Sequence, residues 1–198
     1  MLALFRALSA GAFALVLLVA GTAARGQDEG EFAIGAADAP VTVIEYFSLT
    51  CAHCAAFHRD ILPKVIEDYI DTGKVRMIFR DFPLDNLAFA AAVIARCMED
   101  NRYLGFVNML YEQQDSWRSG ADPLGTIALL ARLGGMSQVR FDTCLNDDQV
   151  TGQIVLSEQM GRAKFGVRST PMFIINDRPV EGAITFEEWQ SYVDPLVN

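Results

Sequence analysis

The sequence predicts an α/β fold in which a helical segment interrupts a small sheet, and three observations predict it. Apolar, β-branched runs at residues 41–47 and 75–80 flank a helical pattern, which is the order of a βαβ unit with two parallel strands. From about residue 85 to residue 165, apolar residues recur only at helical spacing. Strand patterns return at 172–175 and 178–180, ahead of a last helix.

The βαβ unit begins with residues 41–47, whose apolar content on both faces predicts a strand that is buried on both faces. Helical spacing then runs from Cys51 to a stop signal at 71–73, and Pro63 inside this span predicts a kink. A short edge strand is expected at residues 32–34. These elements form the first part of the predicted sheet.

Helices are expected throughout the segment between the two groups of strands. They are predicted on residues 87–98, 103–111, 124–133, 138–145 and 149–164. A turn at 176–177 then joins the last two strands. Thr185 and Glu188 form a capping box for a final helix, which Pro195 is expected to close.

This order of elements predicts a thioredoxin fold with an inserted helical domain. The predicted boundaries are residues 1–24 for a signal peptide, 25–84 and 166–198 for the thioredoxin domain, and 85–165 for the insertion. The chain has 198 residues, enough for one compact domain of moderate size. Its formal net charge of −9 excludes a surface for nucleic acid, because such binding depends on Lys and Arg displacing counterions from phosphates.

The first residues resemble a secretory signal. Arg6 precedes an apolar run at residues 7–20, and small residues at 21–24 offer a cleavage site after Ala23 or Ala24. The alternative, an uncleaved membrane anchor, would need a run of about 20 apolar residues. We therefore expect an acidic, soluble protein that is exported to the periplasm, where thiols can oxidise.

Two of the four cysteines form a C-A-H-C pair at the predicted start of the first helix. Cys51 lies next to the helix N-cap, where free backbone N–H groups and the helix dipole stabilise a thiolate. Cys54 follows one turn later, at a spacing that allows a disulfide. Cys51 is therefore predicted to be the reactive sulfur.

A C-x-x-C pair also occurs in haem attachment and in metal binding. Attachment of haem requires His directly after the second cysteine, and that residue is Ala55. Zinc or copper is harder to dismiss, because Cys51, Cys54 and His58 share one helical face and supply three candidate ligands. A fourth ligand is missing nearby. A metal-binding chaperone therefore remains an alternative, and otherwise His58 is expected on the helix surface near the site.

Glu45 interrupts the apolar pattern of its strand. A carboxylate at such a position is desolvated, and buried carboxylates often carry protons in a mechanism. The alternative is a glutamate at an exposed strand edge.

Four segments together resemble the DsbA family of exported thiol–disulfide oxidoreductases. They are residues 43–54, 69–75, 79–83 and 166–171. The resemblance implies an oxidase whose cysteines need no cofactor. It also implies that this oxidase is monomeric, acts on unfolded secreted polypeptides with free thiols, and is reoxidised by a membrane quinone-linked partner of the DsbB type. A disulfide isomerase or reductase of the same fold is the alternative, although residues 25–39 are too short for the dimerisation segment of such isomerases.

The resemblance also implies roles for individual residues. His53 corresponds to the residue that stabilises the neighbouring thiolate, and Glu45 to the acid that exchanges a proton with Cys54. Thr170 and Pro171 correspond to a loop with a cis proline, in which the backbone of Thr170 binds substrate.

Two positions near the predicted site depart from the family pattern. Ala52 stands where Pro is frequent in the family, and Ser169 where Gly is frequent. Residues between the two cysteines set the thiol pKa and hence the redox potential.

Related sequences often carry a cysteine pair at the places of Cys97 and Cys144. We expect a structural disulfide between them, with two inert buried thiols as the alternative.

Overall fold

The computed structural model describes residues 31–197. The predicted signal peptide at 1–24 lies outside the described residues. The strands are β1 Phe32–Ile34, β2 Val41–Phe47, β3 Val75–Asp81, β4 Met172–Ile175 and β5 Arg178–Glu181. The helices are α1 Ala52–Asp60, α2 Leu62–Val65, α3 Asn86–Arg96, α4 Asp100–Glu112, α5 Gln114–Arg118, α6 Pro123–Leu133, α7 Gln138–Leu145, α8 Asp148–Met160 and α9 Phe186–Val197.

The strands form one mixed sheet in the order β1-β3-β2-β4-β5. Strands β2 and β3 are parallel, with Val41 opposite Val75 and Phe47 opposite Asp81. The other neighbouring pairs are antiparallel. The predicted order of βαβ, helices and ββα is therefore confirmed.

Strand β2 lies at the centre of the sheet, and its last residues lead directly into the cysteine pair. The expectation of burial on both faces holds for its second half, but Thr42 and Ile44 are only half-buried. Helices cover the faces of the sheet at its centre. The loop at 48–51, which follows β2, therefore lies in a well-packed position.

The helical span after β2 is divided more often than expected. Helix α1 ends at Asp60, and the chain resumes as α2 with Pro63 in its first turn, where the missing N–H costs least. A π-helical turn at Ile66–Ile70 completes the span. The helical span is broken at Ile61, which corresponds to the kink that Pro63 predicts.

Helices α3 to α8 lie between β3 and β4, as the sequence predicts. Helix α5 was missed, and the predicted helix at 149–164 is α8 followed by a π-helical turn at Gly161–Phe165. The domain boundaries predicted from the sequence remain a proposal.

The end of the chain contains one correction. Thr185 and Glu188 form the predicted capping box, with reciprocal hydrogen bonds of 3.1 and 2.8 Å. Pro195, however, does not close the helix, because α9 continues through it to Val197. Between residues 31 and 197, no helix is both long and apolar enough to cross a membrane.

Candidate active site

Cys51 is the N-cap of α1, where the sequence predicts it. Its backbone is extended, and its Sγ accepts a hydrogen bond from the backbone N–H of Cys54 at 3.4 Å. Cys51 remains 8% exposed, whereas Cys54 is fully buried. Both cysteines are free thiols in this structure. Only Cys51 is therefore accessible to an attacking thiolate.

The two thiols differ strongly in acidity. The Cys54 thiol donates to Cys51 and, with backbone N–H groups of Cys54 and His53, lowers the pKa of Cys51 from 9.0 to about 5. Burial raises the pKa of Cys54 well above 9.0, and the charges of Glu45 and Cys51 raise it further. At neutral pH the reduced pair therefore consists of one thiolate and one thiol.

The loop at Thr170 and Pro171 lies against the reactive sulfur. The peptide bond between these two residues is cis. The carbonyl oxygen of Thr170 is 3.3 Å from the Sγ of Cys51 and accepts a hydrogen bond from its thiol form. The structure thus brings together Cys51, Cys54 and the Thr170 backbone, although 119 residues separate Thr170 from Cys51.

Glu45 and His58 form a buried pair beneath the cysteines. The Oε2 of Glu45 lies 3.1 Å from the Nε2 of His58, and both side chains are at most 1% exposed. The expected position of His58 on the helix surface is therefore wrong. His58 faces the sheet because this side of α1 packs against β2. There the buried carboxylate of Glu45 is a hydrogen-bond partner for the imidazole ring.

The second ring nitrogen of His58 also has a partner. Its Nδ1 lies 3.0 Å from the Oδ1 of Asn108 on α4. With both nitrogens engaged, His58 is not free to bind a metal beside the cysteines. Within residues 31–197, no group of three or more His, Cys, Asp or Glu side chains is arranged to hold a metal ion.

His53 contributes through its backbone. Its side chain is exposed, and its N–H hydrogen-bonds the sulfur of Cys51.

Three side chains from the helical segment hold the loop that precedes Cys51. Tyr111 donates to the carbonyl oxygen of Ser48 at 3.2 Å, and Arg118 donates to that of Thr50 at 2.9 Å. The side-chain amide of Gln114 donates to the backbone carbonyl oxygen of Leu49 at 2.8 Å and to that of Cys51 at 3.2 Å. We call Tyr111, Gln114 and Arg118 the loop clamp.

Sequence reasoning missed the loop clamp. The one available signal is Gln114, a polar residue three positions from both Tyr111 and Trp117 on an apolar helical face. Such a residue must satisfy its amide inside the protein, because burial without a partner is costly. The sequence does not say which backbone groups it meets.

The remaining cysteines are joined to each other away from the pair. Cys97, the C-cap of α3, and Cys144, in α7, form a disulfide with a Cα to Cα distance of 6.3 Å. This bond links two helices of the segment between β3 and β4. It leaves Cys51 and Cys54 as the free thiols of the chain.

Comparisons with known proteins agree with this geometry. A thioredoxin family model matches residues 27–195. A putative protein-disulfide oxidoreductase of Rickettsia prowazekii is 32% identical over 150 residues, which make up 75% of this chain and 55% of that relative. The chain thus spans little more than half the length of the curated Rickettsia relatives. Disulfide bond formation protein D of Bacillus subtilis is 25% identical over 174 residues, covering 84% of this chain and 77% of that protein.

A solved structure extends the likeness to three dimensions. The crystal structure of alpha-DsbA1 from Wolbachia pipientis superposes with a TM-score of 0.78 at 32% sequence identity. The match covers 84% of this chain and 90% of that one.

Proposed function

The chain belongs to the thioredoxin family, in its DsbA-like group, and from that premise we propose that it is a thiol–disulfide oxidoreductase that acts as an oxidase. It donates the disulfide of Cys51 and Cys54 to other proteins. The observation that carries this proposal is the position of Cys51 at the N-cap of α1, with its Sγ 3.4 Å from the backbone N–H of Cys54, while Cys54 itself is fully buried. This geometry lowers the pKa of Cys51 to about 5 and raises that of Cys54. A thiolate that is stable in the reduced protein makes the disulfide a strong oxidant.

The exchange proceeds in two steps. A substrate thiolate attacks the Sγ of Cys51, the bond to Cys54 breaks, and Cys54 takes a proton because its thiolate is buried. A second substrate thiolate then attacks the substrate sulfur of the mixed disulfide, and Cys51 leaves as a thiolate. The substrate loses two electrons and gains a disulfide, and both protein cysteines end reduced. A low pKa of Cys51 favours its departure, while protonated Cys54 is slow to attack in return.

The substrates we propose are unfolded secreted polypeptides with free thiols. The carbonyl oxygen of Thr170 lies at the reactive sulfur and offers a backbone acceptor to an extended chain. Such binding does not depend on the side chains of the substrate, which suits an enzyme that acts on many sequences.

The setting of the reaction is part of the same proposal. Residues 1–24 have the layout of a signal peptide, so we place the mature protein in the periplasm. As in the family that the sequence resembles, we propose that it acts as a monomer. A reduced pair must be reoxidised for further turnover. A membrane quinone-linked thiol oxidase of the DsbB type supplies that step in this scheme.

Equilibration with glutathione tests the proposal. The mature protein is incubated in mixtures of reduced and oxidised glutathione, and the redox state of Cys51 and Cys54 is counted by alkylation and mass spectrometry. A Cys97→Ala/Cys144→Ala variant is the control, because it removes the other disulfide from the count. We expect a pair more oxidising than glutathione, and rapid disulfide formation in a reduced, unfolded protein. A pair that stays oxidised in excess reduced glutathione would contradict the oxidase and favour a reductase or isomerase.

A further inference from the structure

The hydrogen bonds of His58 determine where its ring protons lie. Asn108 presents its carbonyl oxygen to Nδ1 at 3.0 Å, and a carbonyl oxygen only accepts, so Nδ1 carries a hydrogen. The other nitrogen, Nε2, faces the Oε2 of Glu45 at 3.1 Å. A bare Nε2 and a carboxylate oxygen would repel at that distance. A hydrogen bond between these two atoms therefore needs one further proton, on His58 or on Glu45.

We propose that His58, held by Asn108, keeps one exchangeable proton on the Glu45–His58 pair, and that this pair supplies the proton taken by Cys54 when its sulfur is released. The proposal rests on the oxidase function, in which Cys54 is the first leaving group. His58 acts through Glu45 and is thus a positioning residue. Asn108 sets its tautomer.

The pair is placed to serve Cys54. Glu45 and Cys54 are both fully buried, and the charge of Glu45 helps to raise the pKa of the Cys54 thiol. The second carboxylate oxygen, Oε1, has no hydrogen-bond partner among the described residues. Bulk water does not reach the fully buried Cys54 sulfur, so the proton shared by Glu45 and His58 is the source in this proposal.

Aromatic rings separate the pair from water on most sides. The rings of Phe47, Phe57, Phe79 and Tyr111 have centroids 6.0, 5.9, 5.7 and 4.7 Å from that of the imidazole. Low polarity strengthens the electrostatic coupling between His58 and Glu45.

A cleft opens on the side of Asn108. It has a volume of about 170 Å³ and is lined by His58, Asn108 and Tyr111, with Arg59 and Glu112 also on its wall. Among the described residues, the titratable or charged groups near His58 are Glu45 on β2, Cys54 and Arg59 on α1, and Tyr111 and Glu112 on α4. The cleft provides the route by which the pair regains its proton from solvent.

The proton count balances over the step. Attack on Cys51 releases Cys54 as a thiolate, and the neutral Glu45–His58 pair gives up one proton to it. Cys54 becomes a thiol and the pair is left with one negative charge. A proton from solvent then enters through the cleft and restores the neutral pair.

Nitrogen NMR of the mature protein labelled on histidine tests the tautomer. The chain has two histidines, so a His53→Ala variant assigns both rings. We expect the Nδ1 of His58 to be protonated in wild type, and this preference to be lost in Asn108→Leu. Asn101→Leu is the matched control, because Asn101 is exposed on the same helix. A bare Nδ1 with a protonated Nε2 in wild type would overturn the proposal.

Rapid kinetics test the proton transfer. Attack of a small monothiol on the oxidised protein reports the release of Cys54. We expect His58→Phe to slow this step by about tenfold or more at neutral pH, and added buffer acid to restore part of the rate in the variant but not to accelerate wild type. The pKa of Cys51 should stay near 5, since its causes lie elsewhere. Equal rates in His58→Phe, Asn108→Leu and wild type would overturn the role of the pair, whereas a wild type that oxidises no thiol would contradict the oxidase itself.

Discussion

The carboxamide of Gln114 donates a hydrogen bond to the backbone carbonyl oxygen of Cys51, with a distance of 3.2 Å between nitrogen and oxygen. The helical segment therefore holds the backbone of the residue that carries the reactive sulfur. The same amide reaches Leu49, so one buried side chain spans the turn between β2 and α1.

Replacing Gln114 should loosen this turn. In Gln114→Leu, the carbonyl oxygen of Leu49 loses its amide donor, and we expect the free energy of unfolding to fall by about 1–3 kcal/mol. The pKa of Cys51 should rise, because its N-cap position is held less firmly. Gln113→Leu is the matched control, since Gln113 is the exposed neighbour. Equal urea unfolding and thiol titration curves for the two variants would contradict the role of the loop clamp.

The Cys51 thiol should titrate far below an ordinary cysteine. The Cys54 thiol and the backbone N–H groups of the first turn stabilise its thiolate, which lowers its pKa from 9.0 to about 5. Thiolate ultraviolet absorbance of the reduced protein should show this transition, and Cys51→Ser should lack it. A single transition near the ordinary cysteine value would contradict both the site geometry and the oxidase.

Trapping experiments should identify Cys51 as the nucleophile. In Cys54→Ser, a mixed disulfide at Cys51 has no neighbouring thiol to resolve it, so adducts with periplasmic proteins should accumulate. Cys51→Ser should form few, because Cys54 is fully buried. The adducts are counted on non-reducing gels. Comparable amounts from both variants would show that burial does not select the reactive sulfur.

The stability of the reduced protein should depend on pH through Cys51. Its folded pKa lies below the unfolded value, so the thiolate stabilises the fold at high pH, and this contribution is lost as the pH falls through about 5. Between pH 5 and pH 7 the reduced form should gain about 2 kcal/mol relative to the oxidised form, and it should be the more stable form at pH 7.

The comparison is made by urea unfolding in a Cys97→Ala/Cys144→Ala background, so that reduction changes one disulfide only. Groups other than Cys51 and Cys54 affect both redox forms alike and largely cancel. An oxidised form that is more stable at pH 7 would indicate a reductase poise, and Ala52 would then be the first residue to exchange.

Loss of the second disulfide should destabilise the fold without abolishing the thiol chemistry. Cys97 and Cys144 are separated by 47 residues, and closing a loop of that length stabilises a protein by about 4 kcal/mol in the chain-entropy description. The Cys97→Ala/Cys144→Ala variant should therefore unfold at a lower urea concentration, while Cys51 keeps its low pKa. An unchanged unfolding midpoint would mean that the bond adds no stability.

Local features were predictable because they depend on neighbours in the chain. The N-caps Asp122 and Ser137 accept hydrogen bonds from backbone N–H groups three residues later, and Cys51 does the same with its sulfur. Such contacts need only the side chain and the first helical turn. Pro195 was misjudged because packing of α9 against the sheet outweighs the loss of one helical hydrogen bond.

The sequence by itself determined the order of strands and helices, the place of the cysteine pair at a helix start and the burial of Glu45, since periodicity and capping are written over a few residues. Only the tertiary structure decided that His58 faces Glu45 and Asn108, and that Gln114 reaches Cys51. Those partners lie 13, 50 and 63 residues apart. A helix with apolar residues on several sides can turn more than one face inward, and the choice is made by the energy of the whole packed interior, in which a buried polar group must find its partner.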